Sequence, residues 1–113
     1  LSAMTRTATG LYIEEIELGT GKTATAGDVA TVTYTGQLSN AATFDAGTYS
    51  FTLGSGGVVP GFDEGVTGMR VGGTRRVVIP PELGYGNSGS GSIPPGSILI
   101  FRIHLDALDS DLF

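Results

Sequence analysis

The sequence predicts an α+β fold, in which an antiparallel sheet of five or six strands wraps around one short α-helix. Three observations carry that expectation. Several stretches alternate apolar and polar residues at period two, as half-buried strands do. A single stretch switches to helical spacing. No strand–helix alternation recurs along the chain, which excludes a doubly wound parallel sheet. A chain of 113 residues without cysteine is long enough for one domain that buries a core without disulfide or metal staples.

The elements follow in order. Residues 1–9, opening "LSAM", read as an N-terminal tail or expression remnant. The domain proper runs over 10–109, and 110–113 form a C-terminal tail. In "GLYIEEIEL" Leu11 and Ile13, then Ile16 and Leu18, fall on alternating steps, and the phase break at Glu14-Glu15 predicts a bulge or bend. "VATVTYTGQL" alternates strictly. Ala30, Val32, Tyr34 and Leu38 take one face, and Thr31, Thr33, Thr35 and Gln37 the other. "YSFTL" repeats the pattern with Tyr49, Phe51 and Leu53. The period then changes, with Phe62, Val66 and Met69 at i, i+4 and i+7. Pro60 stands near the start of this helix, Asp63 and Glu64 lie in its first turn where the dipole favours acid, and Gly68 helps end it. So short a helix must lie on a sheet to survive. "TRRVVIP" is a strand stopped by Pro80-Pro81. Leu99, Phe101, Ile103 and Leu105 form the apolar face of the last strand.

Composition excludes several functions. The net charge of −5 with a single lysine, Lys22, opposes nucleic-acid binding, which needs a basic footprint. Arg75-Arg76 is the one basic pair, and neighbours on a strand face opposite ways. No apolar run is long enough to span a bilayer, and no signal peptide opens the sequence. One lysine among abundant Thr, Gly, Ser and Ala leans towards a bacterial periplasmic or other extracytoplasmic location over the cytoplasm.

Three motif-like stretches fail on spacing or partners. "GTGKT" ends like a phosphate-binding loop, but the required glycine five positions before Gly21 is Ile16. Gly54 and Gly56 do not make a dinucleotide fingerprint, because Val59 occupies the final glycine position. His104, the one histidine, lies on the polar face of the last strand, without a partner for a zinc site or catalytic triad. Asp63-Glu64 is explained by the helix dipole. No metal site or cofactor is expected.

What remains is an aromatic set, namely Tyr34, Phe44, Tyr49, Phe51, Phe62, Tyr85 and Phe101, together with a long Gly/Ser loop. Core filling accounts for Phe51. It accounts poorly for Tyr85, which no periodic element carries inward. Long irregular loops in compact domains are usually functional or disordered, and this one has Tyr85 at one end and Ile93 before Pro94-Pro95 at the other.

The stretches "VTYTGQL", "TFD", "FTLGSGGVVPGFDEGVTGMRVGGTRRVVIPPELGYG" and "IPPGSILIFRIHL" resemble the FK506-binding family of peptidyl-prolyl cis–trans isomerases, colinearly from about Gly10 to Leu108. The resemblance implies an apolar pocket between sheet and helix. It implies Phe62 as the pocket floor, Tyr34, Tyr49 and Phe101 as walls joined by Phe44, and Asp45 as the polar group at the rim. Val58 and Val59 would precede the helix, with the Val59 N–H meeting a ligand carbonyl. Tyr85 would offer its hydroxyl, and Ile93 would press on the substrate proline. Tyr34, Asp45, Phe62, Tyr85 and Phe101 are thereby the implied catalytic set, and Phe44, Tyr49, Val58, Val59 and Ile93 the implied substrate contacts. Implied partners are proline-containing polypeptides and macrolides such as FK506 or rapamycin, with no nucleic acid and no membrane insertion, for a monomer.

The sequence departs from the family pattern in three places. Phe62 stands where tryptophan is usual. Only Ala46, Gly47 and Thr48 separate Asp45 from Tyr49, where many members carry a longer insertion. Ser92 stands beside Ile93 in place of a second apolar residue. Two rival readings stay open at this point: a non-catalytic proline-recognition or chaperone-like module using the same pocket, and an unrelated β-domain binding carbohydrate through exposed aromatics.

Overall fold

The computed structural model describes residues 4–40, 42–56, 58–89, 91 and 93–108. The first three residues of the N-terminal tail, Ser92 and the tail at 110–113 lie outside the described residues.

Six strands form one sheet: β1 (Thr5–Arg6), β2 (Tyr12–Glu17), β3 (Val29–Leu38), β4 (Thr43–Thr52), β5 (Thr74–Ile79) and β6 (Leu99–Leu108). Their spatial order is β1-β2-β5-β6-β3-β4, and every neighbouring pair is antiparallel. The one α-helix, α1, spans Pro60–Val66. The α+β expectation is therefore met with six strands. No helix among the described residues is long and apolar enough to cross a membrane.

The period-two pattern sets which side of the sheet is dry. On β3, Ala30 and Val32 are buried, while Thr33 and Thr35 are exposed. On β6, Leu99, Phe101, Ile103 and Leu105 are buried. Register aligns these faces: Val32 lies opposite Leu105, Tyr34 opposite Ile103 and Gly36 opposite Phe101. The one departure comes on β2. Its ladder with β5 shifts between Glu15 and Glu17, so Ile16 has no opposite residue. The irregularity lies one residue beyond Glu14-Glu15, and Ile16 and Leu18 stay exposed. Their apolar alternation marks a bulged strand end, not a buried face.

α1 seats on β5 through two glycines. A Cβ on Gly61 would stand 2.5 Å from Ile79 Cγ2, and one on Gly65 would stand 2.9 Å from Val77 Cγ2. Side chains there would lift the helix off the sheet. Phe62 and Val66 are buried on the remaining inner side, and Met69 continues that stripe just past the helix end. Both ends are tied. Pro60 occupies the first turn, and the Asp63 carboxylate accepts the Gly54 N–H at 2.9 and 3.0 Å. Asp63 thus anchors the turn after β4 besides favouring the dipole. At the other end Gly68, with φ +92°, takes the left-handed turn that glycine favours, and its N–H reaches Ala24 O at 2.9 Å.

No basic residue lies in the last turn of α1; β5 supplies one. Arg75 Nη1 donates to Gly65 O at 3.0 Å and Thr67 O at 3.3 Å, and Nη2 bonds Glu15 of β2. The guanidinium satisfies carbonyls that a helix leaves without partners, in a setting where its charge also suits the dipole. Arg76, its neighbour, faces outward, 3.6 Å from Glu14.

Candidate functional site

Between α1 and the inner face of the sheet opens a pocket of about 270 Å³. Tyr34 comes from β3, Phe101 from β6 and Phe62 from the first turn of α1. β4 contributes Asp45 and Tyr49, which share its inner face because they lie opposite Gly36 and Val32. Val58 and Val59 line the approach to the helix, and Tyr85 reaches in from the loop after β5.

Three rings form the pocket's base. Phe62 meets Phe101 edge-on, with centroids 4.9 Å apart at 86°, and meets Tyr34 at 5.5 Å and 82°. Tyr34 and Phe101 are 6.0 Å apart. These edge-to-face arrangements suit the ring quadrupoles and fix each ring against the others. Tyr49 stacks on Phe51 at 6.0 Å, and Phe51 in turn backs Phe62 at 5.6 Å.

The rim is polar. The Tyr34 hydroxyl donates to Asp45 Oδ2 at 2.8 Å. Burial pushes the Tyr34 hydroxyl from 10.0 up to about 12, and the hydrogen bond and negative charge of Asp45 add to the rise. Tyr34 therefore remains a donor at any neutral pH. The Tyr85 hydroxyl, 38% exposed as a residue, makes no hydrogen bond among the described residues. The Val59 N–H likewise has no acceptor there, while Val59 O accepts from Phe62 N at 3.0 Å. Two free donors and one tethered carboxylate thus surround an apolar cup. Among the described residues no three His, Cys, Asp or Glu side chains gather to hold a metal.

Eight of the ten sequence-derived site residues line this pocket: Tyr34, Asp45, Tyr49, Val58, Val59, Phe62, Tyr85 and Phe101. Two stand apart from it. Phe44 lies behind Phe101, edge-on at 5.5 Å. Ile93 is only 6% exposed and packs into the core. Its loop is folded upon itself, with Gly86 N bonded to Pro81 O, Gly96 N to Gly86 O, and Ser97 Oγ to Pro94 O. Ile93 pins that loop down, and Tyr85 is what the loop presents.

Gly36 was not singled out from sequence. A Cβ there would come within 2.7 Å of Phe101 and 2.8 Å of Phe44, so its absence makes room for both rings. The available signal was a glycine on the apolar side of an otherwise strict alternation, which marks a close approach. The His104 side chain lies on the outer face with Nδ1 2.7 Å from Asp106 Oδ1, away from the pocket.

Known proteins resemble this chain in sequence and in fold. A family model described as FKBP-type peptidyl-prolyl cis-trans isomerase matches residues 20–106. The chain is 46% identical over 102 residues to the FK506-binding protein of Neisseria meningitidis serogroup B, covering 85% of this chain and 94% of that one. It is 46% identical over 103 residues to FK506-binding protein 3 of Candida albicans, covering 88% of this chain. The chain spans about a quarter (24%) of that relative's length. The solved structure of FkpA from Escherichia coli superposes with a TM-score of 0.86 at 36% identity, covering 93% of this chain and 51% of that one.

Proposed function

The chain belongs to the FKBP-type peptidyl-prolyl cis-trans isomerase family, and we propose that its 10–109 domain accelerates rotation about Xaa-Pro bonds of polypeptide clients in the pocket between α1 and the sheet. The observation that carries this is the cup itself: the Phe62 ring edge-on to both Tyr34 and Phe101, with a hydrogen-bonded carboxylate and two unpaired donors at the rim. At about 270 Å³ it falls just below the roughly 300–1,000 Å³ of small-molecule sites. That size suits one proline ring.

The chemistry asks for little more. Rotation about an Xaa-Pro bond is opposed by about 18–20 kcal/mol and takes tens to hundreds of seconds unaided. Reaching milliseconds requires about four to five decades, or ~6–7 kcal/mol. No bond breaks and no proton moves. The twisted transition state loses amide resonance, so its carbonyl carries less charge than the planar ground state. An apolar cup favours the twisted form over the planar one. In this reading the Val59 N–H and the Tyr85 hydroxyl hold substrate carbonyls, each adding roughly 1–3 kcal/mol if the bond tightens at the transition state. Asp45 has an orienting role.

FK506-type macrolides are proposed ligands of the same cup. Phe62 brings no ring N–H to the floor, which favours weaker macrolide binding and keeps a proline-binding module as the second reading. The test is cis-to-trans relaxation of a Leu-Pro model peptide in a protease-free fluorescence assay, with and without macrolide. Acceleration that the macrolide suppresses is expected. Well-folded protein that binds the peptide without accelerating it would establish the module instead.

A further inference from the structure

β4 is at once a wall of the pocket and the edge of the sheet. One side pairs with β3; the other pairs with no strand among the described residues. Asp45 through Ser50 are all exposed. An open edge is a ready template for another chain, and proteins usually blunt such edges with lysine, proline, a bulge or a cover. Here the one register shift lies at the start, beside Phe44, and from Asp45 to Thr52 the ladder with β3 is unbroken. That segment contains neither lysine nor proline, and Asp45 is its one charge.

Gly47 adds a second, independent observation. It lies between Asp45 and Tyr49 on the inner face, directly opposite Tyr34. Its backbone is not in the left-handed region, and a Cβ there would meet nothing within 4 Å. Neither a turn nor close packing requires glycine at this position, and glycine within a strand is unfavourable. What its missing side chain does is lower the pocket wall between Asp45 and Tyr49. The result is a notch leading from the free edge into the ring cluster.

We propose that an extended segment of the client polypeptide adds to the free edge of β4 as a seventh strand, its chain passing the Gly47 notch so that the proline enters the pocket. The proposal rests on the isomerase reading above. Continuity names the occupant: Asp45 and Tyr49 belong to both the edge and the pocket, so a chain held on β4 is already beside the rings. Main-chain pairing gives affinity with little demand on client side chains, which fits a catalyst that acts on many sequences.

The test uses a nine-residue peptide with a central proline, its tetrapeptide core, and two twins N-methylated at alternate flanking residues, one for each alternation. The long peptide is expected to bind at least tenfold tighter than its core and to slow hydrogen exchange at the Ala46–Ser50 amides. One twin is expected to fall back to the core's affinity. Gly47→Thr is expected to lose most of the long peptide's advantage without a lower unfolding midpoint. Equal binding by both twins, or unchanged exchange in β4, overturns the proposal. So does concentration-dependent protection of β4 without peptide, which assigns the edge to a second copy of this chain. Acceleration of the tetrapeptide is read separately. Its absence beside a protected edge would sink the isomerase reading and leave strand addition standing.

Discussion

The Tyr34 hydroxyl reaches diagonally across the ladder to Asp45, 2.8 Å away, although Tyr34 lies opposite Gly47 and Asp45 opposite Gly36. Both residues opposite the pair are glycines, and a Cβ on Gly36 would meet the Phe101 and Phe44 rings. A hydrogen bond to a charged group contributes about 1.5–3 kcal/mol, roughly one to two decades in rate. Asp45→Leu is therefore expected to lower kcat/KM about 10- to 100-fold with the fold intact. Tyr34→Phe keeps the ring and carboxylate and should cost less. Protease-free relaxation kinetics measure both, and the reverse order would show that Asp45 does not orient the rim.

Phe101 and Tyr85 should separate packing from hydrogen bonding. Phe101 touches three rings, Tyr34, Phe44 and Phe62, so Phe101→Ala is expected to cost about 3–5 kcal/mol of stability and most of the activity. Tyr85 is partly exposed, and Tyr85→Phe should leave stability within about 0.5 kcal/mol while lowering kcat/KM up to about tenfold. Chemical denaturation beside the kinetics decides. Complete inactivity of a folded Tyr85→Phe variant would contradict the ordering.

The raised Tyr34 hydroxyl has a consequence for alkaline stability. The unfolded chain gives up this proton near 10.0 and the folded chain near 12. Between those values the folded state holds the extra proton, so stability is intact below pH 10 and declines as pH rises towards 12. Tyr34→Phe should lack that component, and the parent's advantage over it should shrink across the same window. Denaturation series at neutral pH and between pH 10 and 12 test this. A constant difference would mean that burial and Asp45 together do not raise the hydroxyl's pKa in the folded state.

The seat of α1 yields a paired prediction. Alanine is the better helix former by about 1 kcal/mol, yet a Cβ on Gly65 meets Val77 at 2.9 Å. Gly65→Ala is expected to destabilise by about 1–3 kcal/mol. Arg75→Met leaves the Gly65 and Thr67 carbonyls without their donor and should cost about 1.5–3 kcal/mol. Both should also weaken peptide binding, because α1 carries Phe62. A Gly65→Ala protein more stable than the parent would show that the helix has slack above β5.

Much of the fold was legible because single residues report it. The alternation of Val32, Tyr34, Phe101 and Ile103 marks the dry face, and Phe62 and Val66 mark the helix. The pocket was legible only through a combination of motifs, since no local rule brings Asp45, Phe62 and Tyr85 together. Ile93 shows where such reading stops. Its contact with the substrate proline was implied by the resemblance alone, whereas its burial depends on how the Gly86–Gly96 turn closes. Arg75 was read as one of a basic pair, and no local pattern says that its guanidinium ends a helix encoded ten residues earlier. Gly61 and Gly65 carried a usable signal: glycines four apart on a short helix mark the side pressed on a neighbour.

The strand order has a bearing on biosynthesis. β6, the last of the six strands to be made, lies in the middle of the sheet, with β5 on one flank and β3 on the other. During vectorial synthesis, at about 5–20 residues per second, β1, β2 and β5 can pair as one group and β3 and β4 as another. The two groups share no ladder until Leu99–Leu108 has left the ribosome. The ring cluster that requires Phe101 does not exist before then. A nascent chain of this kind carries two half-sheets with open inner edges, and its pocket closes only when the sixth strand joins them.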